Sequence, residues 1–152
     1  MKYISNIAIL ALFLGSTQIA VASDSGVAKQ AIQASLKYVE LNRIGDPAEV
    51  LEVKQHSSRA LKSGEVRVRV LASPINPSNL LQIAGNYGVD AVLPSTPGSE
   101  GVGRVLETSA EVTHLAVGQL VLLAGVGGTW RDEIVAPASG FLPLPDLGPV
   151  DS

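Results

Sequence analysis

The residues able to do chemistry in this chain are few, and they crowd into two stretches. Ser73 to Val105 reads SPINPSNLLQIAGNYGVDAVLPSTPGSEGVGRV, and Gly125 to Val135 reads GVGGTWRDEIV. They hold Asn76 before Pro77, Tyr87 between Asn86 and Gly88, the pair Ser99-Glu100, the glycines Gly101 and Gly103, and Trp130. A phenol keeps its proton at neutral pH and can donate it. Read alone, Tyr87 is a tyrosine at a turn with its hydroxyl in water. Asn76 has a sufficient task as an N-cap for a helix begun by Pro77, and Trp130 reads as an anchor in a core poor in aromatics. Gly101-Val102-Gly103 invites a dinucleotide-binding reading, but Leu106 fills the sixth position and no helix follows, so it is a tight strand segment. Gly125 to Gly128 is a loop rather than a phosphate cradle.

Composition removes whole classes of function. There is no cysteine, so neither a disulfide nor a thiolate-bound metal can form. His56 and His114 lack ligand spacing and read as surface residues. The formal net charge is -3, and no run of basic residues interleaved with aromatics is present to follow a phosphate backbone, which argues against nucleic acid as a partner. A hydrophobic content of 46% suits a globular core, and with only 4% aromatic residues that core must rest on Val, Leu, Ile and Ala.

The elements that must position these residues begin after a leader. Lys2, the apolar run Ile7 to Leu14 and the small-residue pattern Ala20-Val21-Ala22 predict a signal peptide over residues 1–22 and hence an exported protein, the alternative being an uncleaved membrane anchor. Val27 to Leu36 partly fits a helical stripe within an N-terminal segment, residues 23–36. Lys37 to Ile44 and Val50 to Lys54 read as strands joined by the turn formers Gly45-Asp46-Pro47. Glu65 to Leu71 is the clearest strand, with Val66, Val68 and Val70 on one face and Arg67 and Arg69 on a face expected to be solvated. A helix of about two turns should follow Asn76-Pro77, with Leu80, Leu81 and Ala84 inward and Gly85 ending it. Gly101 to Leu106, Leu120 to Ala124, Glu133 to Ala136 and Phe141 to Leu144 complete a pattern of short strands and Gly/Pro turns, predicting a small barrel or sandwich.

SPINPSN, GNYG, LPSTPGSEGVGRV and GGTWRDEIV, in that order, resemble the medium-chain dehydrogenase/reductase superfamily. The best resemblance is to its zinc-independent trans-2-enoyl thioester reductases and quinone-reductase-like members, from about Lys37 to Pro145. It implies a mainly β fold over residues 37–152, a GroES-like, partly open β-barrel with one or two short helices; the Rossmann domain that follows the barrel in the family is expected to be lacking here. It implies that Tyr87 is the catalytic acid and that Asn76 and Trp130 contact substrate. Cofactor-binding residues are not identifiable, and NADPH is implied by the family alone. Zinc is not expected, because Ser99 stands where the zinc-dependent members carry His and cysteine ligands are lacking. The expectation is therefore the substrate half of an NADPH-dependent oxidoreductase resembling trans-2-enoyl-CoA/ACP reductase, truncated and inactive alone. Its implied partners are a separate Rossmann-domain chain or a second copy, with a small apolar acyl or quinone-type substrate. The alternative is an exported, non-catalytic GroES-like module that binds a small apolar ligand or a partner protein.

Overall fold

The computed structural model describes residues 35–88 and 91–145. The predicted signal peptide lies outside the described residues, as does the helix expected over Val27 to Leu36 except at its end, where Leu36 opens a strand instead. Two sheets organise the rest. Strand β1 (Leu36–Leu41) pairs antiparallel with β2 (Leu51–His56) in a two-stranded ribbon. The second sheet has five strands in the order β6-β3-β4-β5-β7, namely β3 (Glu65–Ala72), β4 (Val102–Thr108), β5 (Leu120–Leu122), β6 (Glu133–Pro137) and β7 (Leu142–Pro143). All its pairings are antiparallel, and register shifts in the β3/β4 ladder add local twist. Two isolated bridges, Tyr38 to Arg131 and Leu41 to Ser95, tie β1 to segments outside the ribbon. The result is the partly open β architecture that the short strands and the resemblance imply.

Between β1 and β2 the turn formers build a single helical turn, α1 (Pro47–Val50), rather than a plain turn. Asp46 caps it, its Oδ1 accepting from Ala48 N–H at 2.9 Å, with Pro47 preset for the first helical position. Helix α2 (Pro77–Ile83) starts at Asn76 as expected. A capping box closes its first turn, with Asn79 Oδ1 accepting from Asn76 N–H at 3.1 Å. The inward face differs from the expectation. Asn79 and Ile83 are buried, one helical turn apart, whereas Leu80 and Leu81 are exposed. The capping box turns Asn79 toward the protein, and that choice rotates the two leucines outward.

The main core fills with the alternating face of β3. Val66, Val68, Val105, Val121, Leu123 and Phe141 are almost fully buried there. Gly103 is required at this point, since a Cβ would collide with Val68 Cγ1 and come within 2.7 Å of the Arg69 carbonyl. A smaller cluster of Leu41, Val50 and Ile83, with Leu51, Ala91 and Trp130 against it, lies under the candidate site.

The opposite face of β3 corrects the sequence reading. Arg69 is exposed, but Arg67 is buried. Its Nη1 meets Glu133 Oε1 at 2.5 Å, its Nε meets Glu107 Oε2 at 2.9 Å, and its Nη2 donates to the Arg59 carbonyl at 2.5 Å. Ser58 completes the group, its hydroxyl contacting both Arg67 and Glu133. The segment before β3 thus folds over the face that alternation assigned to solvent. Arg59 clamps that segment to Glu65 through two hydrogen bonds of 2.6 and 2.7 Å.

Two expectations follow. Glu133→Gln leaves a buried guanidinium short of charge, and should destabilise the fold by about 3 kcal/mol in denaturant titrations, while Arg67→Met with Glu133→Leu recovers most of the loss. An unchanged midpoint in the single variant would overturn the assignment. The Arg59 guanidinium, then the Lys62 N–H, hold the Glu65 carboxyl down to about 2 from an ordinary 4.5. The folded value lies below the unfolded one, so this contribution is complete above pH 4.5 and lost as pH falls through about 2. A side-chain NMR titration should place the Glu65 midpoint near the lower value, and a midpoint near 4.5 would remove the clamp.

Candidate functional site

Three loops distant in sequence meet at one main-chain oxygen. The hydroxyls of Ser73, which follows β3, and Thr129, from the GGTWR stretch, each sit 2.9 Å from the Glu100 carbonyl oxygen and 2.7 Å from one another. Each hydroxyl carries one hydrogen, so two of these three contacts can be hydrogen bonds at a time. Around this point Asn76 Nδ2 donates to Glu100 Oε1 at 2.6 Å, and Asn79 Nδ2 donates to Ser99 Oγ at 3.3 Å. Trp130 Nε1 donates to the Pro74 carbonyl at 3.1 Å. Gly98 permits the approach. Its φ is +97°, its carbonyl accepts from Gly128 and Thr129 N–H, and a Cβ would strike the Thr129 and Trp130 side chains.

Two clefts flank this brace. One, of about 460 Å³, lies between the ribbon and the end of β3, with Val39, Val53, Val70, Ile75, Trp130 and Arg131 in its wall. The other, of about 520 Å³, is lined by Ile83, Val92, Ser95, Thr96, Ser99 and the Gly125–Gly128 loop. Trp130 is thus both a wall residue and part of the small core. Asn76 joins the brace through Glu100. Tyr87 lies beyond the other end of α2, roughly 10 Å of helix from Asn76, 53% exposed and on the wall of neither cleft. The structure therefore brings Asn76 and Trp130 into one assembly and leaves Tyr87 on an outward turn.

Electrostatics distinguish the ribbon-side cleft. Tyr38 donates to Glu40 Oε2 at 3.0 Å, and that bond raises its phenol above the ordinary range. Lys54, at 2.7 Å from the other carboxylate oxygen, holds Glu40 below its ordinary value. Burial lowers the Arg131 guanidinium, whose Nε donates to the Gly128 carbonyl at 2.5 Å. His56, read from sequence as a surface residue, is half-buried with its ring edge-on to Tyr38 at 5.6 Å.

The Gly125–Gly128 loop is tied down by its own backbone bonds. In it, Gly125 N–H donates to the Gly140 carbonyl and Gly128 N–H to the Gly98 carbonyl, and no α-helix follows among the described residues to face a phosphate. Ser73, Thr129 and Arg131 are site residues that the sequence alone does not single out, and Glu100, singled out for its side chain, acts through its main-chain oxygen. Only their positions within the SPINPSN, GSEG and GGTWR motifs marked them, because nothing in sequence pairs Ser73 with Thr129.

Trp130 is the only tryptophan of the chain. Trp130→Phe keeps the ring but deprives the Pro74 carbonyl of its donor, and should cost about 1 kcal/mol in denaturant midpoint followed by circular dichroism. A variant as stable as the parent would show that the indole N–H does not hold the Pro74 loop.

Comparison with known proteins places this geometry. The model of the alcohol dehydrogenase GroES-like domain matches residues 62–146. The human mitochondrial enoyl-[acyl-carrier-protein] reductase is 42% identical over 109 residues, covering 71% of this chain and 29% of that protein. The mitochondrial 2-enoyl thioester reductase Etr1p/Etr2p heterodimer from Candida tropicalis superposes with a TM-score of 0.67 at 31% identity, covering 74% of this chain and 34% of the other. A complex of Etr1p with NADP and crotonyl-CoA superposes equally well, at 0.67 and 30% identity, with the same coverage of 74% and 34%. The chain spans about a third of the length of these relatives. With its GxEG and GTWR loops joined at one carbonyl on an open β scaffold, the chain belongs to the alcohol dehydrogenase GroES-like domain family of the medium-chain dehydrogenase/reductases, and within it resembles the enoyl thioester reductases.

Proposed function

We propose that this domain is the substrate-binding half of an NADPH-dependent, zinc-independent enoyl thioester reductase. The observation that carries the reading is the brace at the Glu100 carbonyl, which fixes Trp130 and the SPINPSN loop at the edge of an apolar cleft. Reduction of an α,β-unsaturated thioester places negative charge on the thioester oxygen and the α carbon. Tyr87, exposed on the turn after α2, is the donor for that charge once substrate and a cofactor-binding domain close over it. Asn76, anchored by Glu100, and Trp130 position the acyl chain. Ser99 stands in the position of a zinc-binding histidine and shares a hydrogen bond with Asn79, so the phenol rather than a metal serves as the electrophile. NADPH is held, in this reading, by the Rossmann domain that completes such a reductase.

The reading is tested by joining the domain to the cofactor-binding remainder of the human mitochondrial relative. The folded chimera is expected to oxidise NADPH only when crotonyl-CoA is present, and Tyr87→Phe should lower kcat about a hundredfold. A folded chimera without thioester-dependent turnover would overturn the proposal, and an active Tyr87→Phe variant would remove Tyr87 from it.

A further inference from the structure

The ribbon-side cleft carries a feature that an acyl-binding wall does not require. Arg131 lies in that wall, its orientation set by the bond from Nε to the Gly128 carbonyl, which leaves its terminal nitrogens to other partners. Every salt bridge among the described residues is made by Lys54, Arg59 or Arg67, so none of the described carboxylates is paired with this guanidinium. The neighbouring carboxylates are engaged elsewhere. Glu40 is taken by Lys54 and Tyr38, and Asp132 Oδ2 accepts from Lys37 N–H at 2.8 Å. The cleft wall thus presents two cationic side chains, Lys37 and Arg131, against the single carboxylate of Asp132. Beside them the surface is apolar and open, with Val53 72% and Ile75 68% exposed.

We propose that this cleft binds a single-tailed anionic amphiphile, a medium-chain alkyl carboxylate, with its head on Arg131 and its tail along Val39, Val53, Val70 and Ile75. A guanidinium partly withdrawn from water gains most from an anion that can meet its planar fork, and a carboxylate does so through two parallel bonds. The apolar wall supplies the remaining affinity and selects a ligand with a hydrocarbon tail over a bare anion. For the tail the inference rests on the acyl-binding reading above. The contact with the head is separate from it and requires neither cofactor nor thioester.

Calorimetry of the 152-residue protein with decanoate and with decanol distinguishes the two parts. Decanoate should bind the parent more tightly than decanol. Arg131→Gln should weaken decanoate about tenfold to a hundredfold and leave decanol unchanged. Arg131→Lys, which keeps the charge without the fork, should fall between, and its melting curve serves as the check on folding. Val53→Asp, at an open position of the wall, should weaken both ligands, whereas Lys37→Gln should weaken decanoate less than Arg131→Gln does and leave decanol unchanged. If decanol equals decanoate, or Arg131→Gln binds decanoate as the parent does, the head-group contact is overturned while the acyl wall stands. If neither ligand binds the folded parent, both the contact and the wall are lost. Full loss in Lys37→Gln would assign the anion to the lysine and overturn the role of Arg131.

Discussion

The carbonyl oxygen of Glu100 is the point on which the candidate site depends. It stands just before β4, and it receives Ser73 from the end of β3 and Thr129 from the segment leading into β6. Strand pairing alone brings these chain segments near one another but does not fix the loops between them. The hydroxyl contacts do so, and they use an acceptor that substitution of the Glu100 side chain leaves in place. Gly98 and Gly101 make the approach possible. A side chain at Gly98 would collide with Thr129 and Trp130, and one at Gly101 would come within 2.6 Å of the Ala72 carbonyl. The two glycines serve the same junction from opposite sides.

The site sits over the lesser of two cores. The larger one joins β3, β4, β5 and β6 through residues such as Val68, Val105 and Phe141. Beneath the brace only Leu41, Val50 and Ile83 are fully enclosed, with Trp130 packed against them. Apolar burial is therefore greatest away from the ligand-accessible surfaces, and the site relies more heavily on directional hydrogen bonds. This division lets a rigid sheet carry loops whose own packing is modest.

Much of the fold was legible in the sequence because its strongest signals are local. Val66, Val68 and Val70 mark β3, Asn76-Pro77 marks the start of α2, and the positions of glycine and proline divide the remaining strands. The failures share a cause. Alternation along β3 distinguishes an apolar face from a polar one, yet it cannot say that Ser58 and Arg59 return to cover Arg67, since that contact is set by a segment outside the strand. Likewise the inward face of α2 was misjudged because hydrophobicity favoured Leu80 and Leu81, while the capping box and Ser99 draw Asn79 inward. Within the site, Trp130 and Asn76 could be singled out by motif. Their connection through Glu100 could not, because a main-chain acceptor leaves no trace in residue type.

The ribbon bears on how such a domain tolerates change. Strand β1 is held to its surroundings by main-chain bonds, from Val39 and Leu41 N–H to the Trp130 and Ser95 carbonyls, and from Ser95 and Asp132 N–H to Leu41 and Lys37. The gap between ribbon and sheet is consequently gauged by backbone, whereas its lining is made of side chains. Substitutions can repaint that lining without altering its width. Homologous domains built this way can diverge in the ligands they accept while keeping the same opening, and differences in specificity among them should be sought in wall residues such as Val53 and Arg131 rather than in the frame.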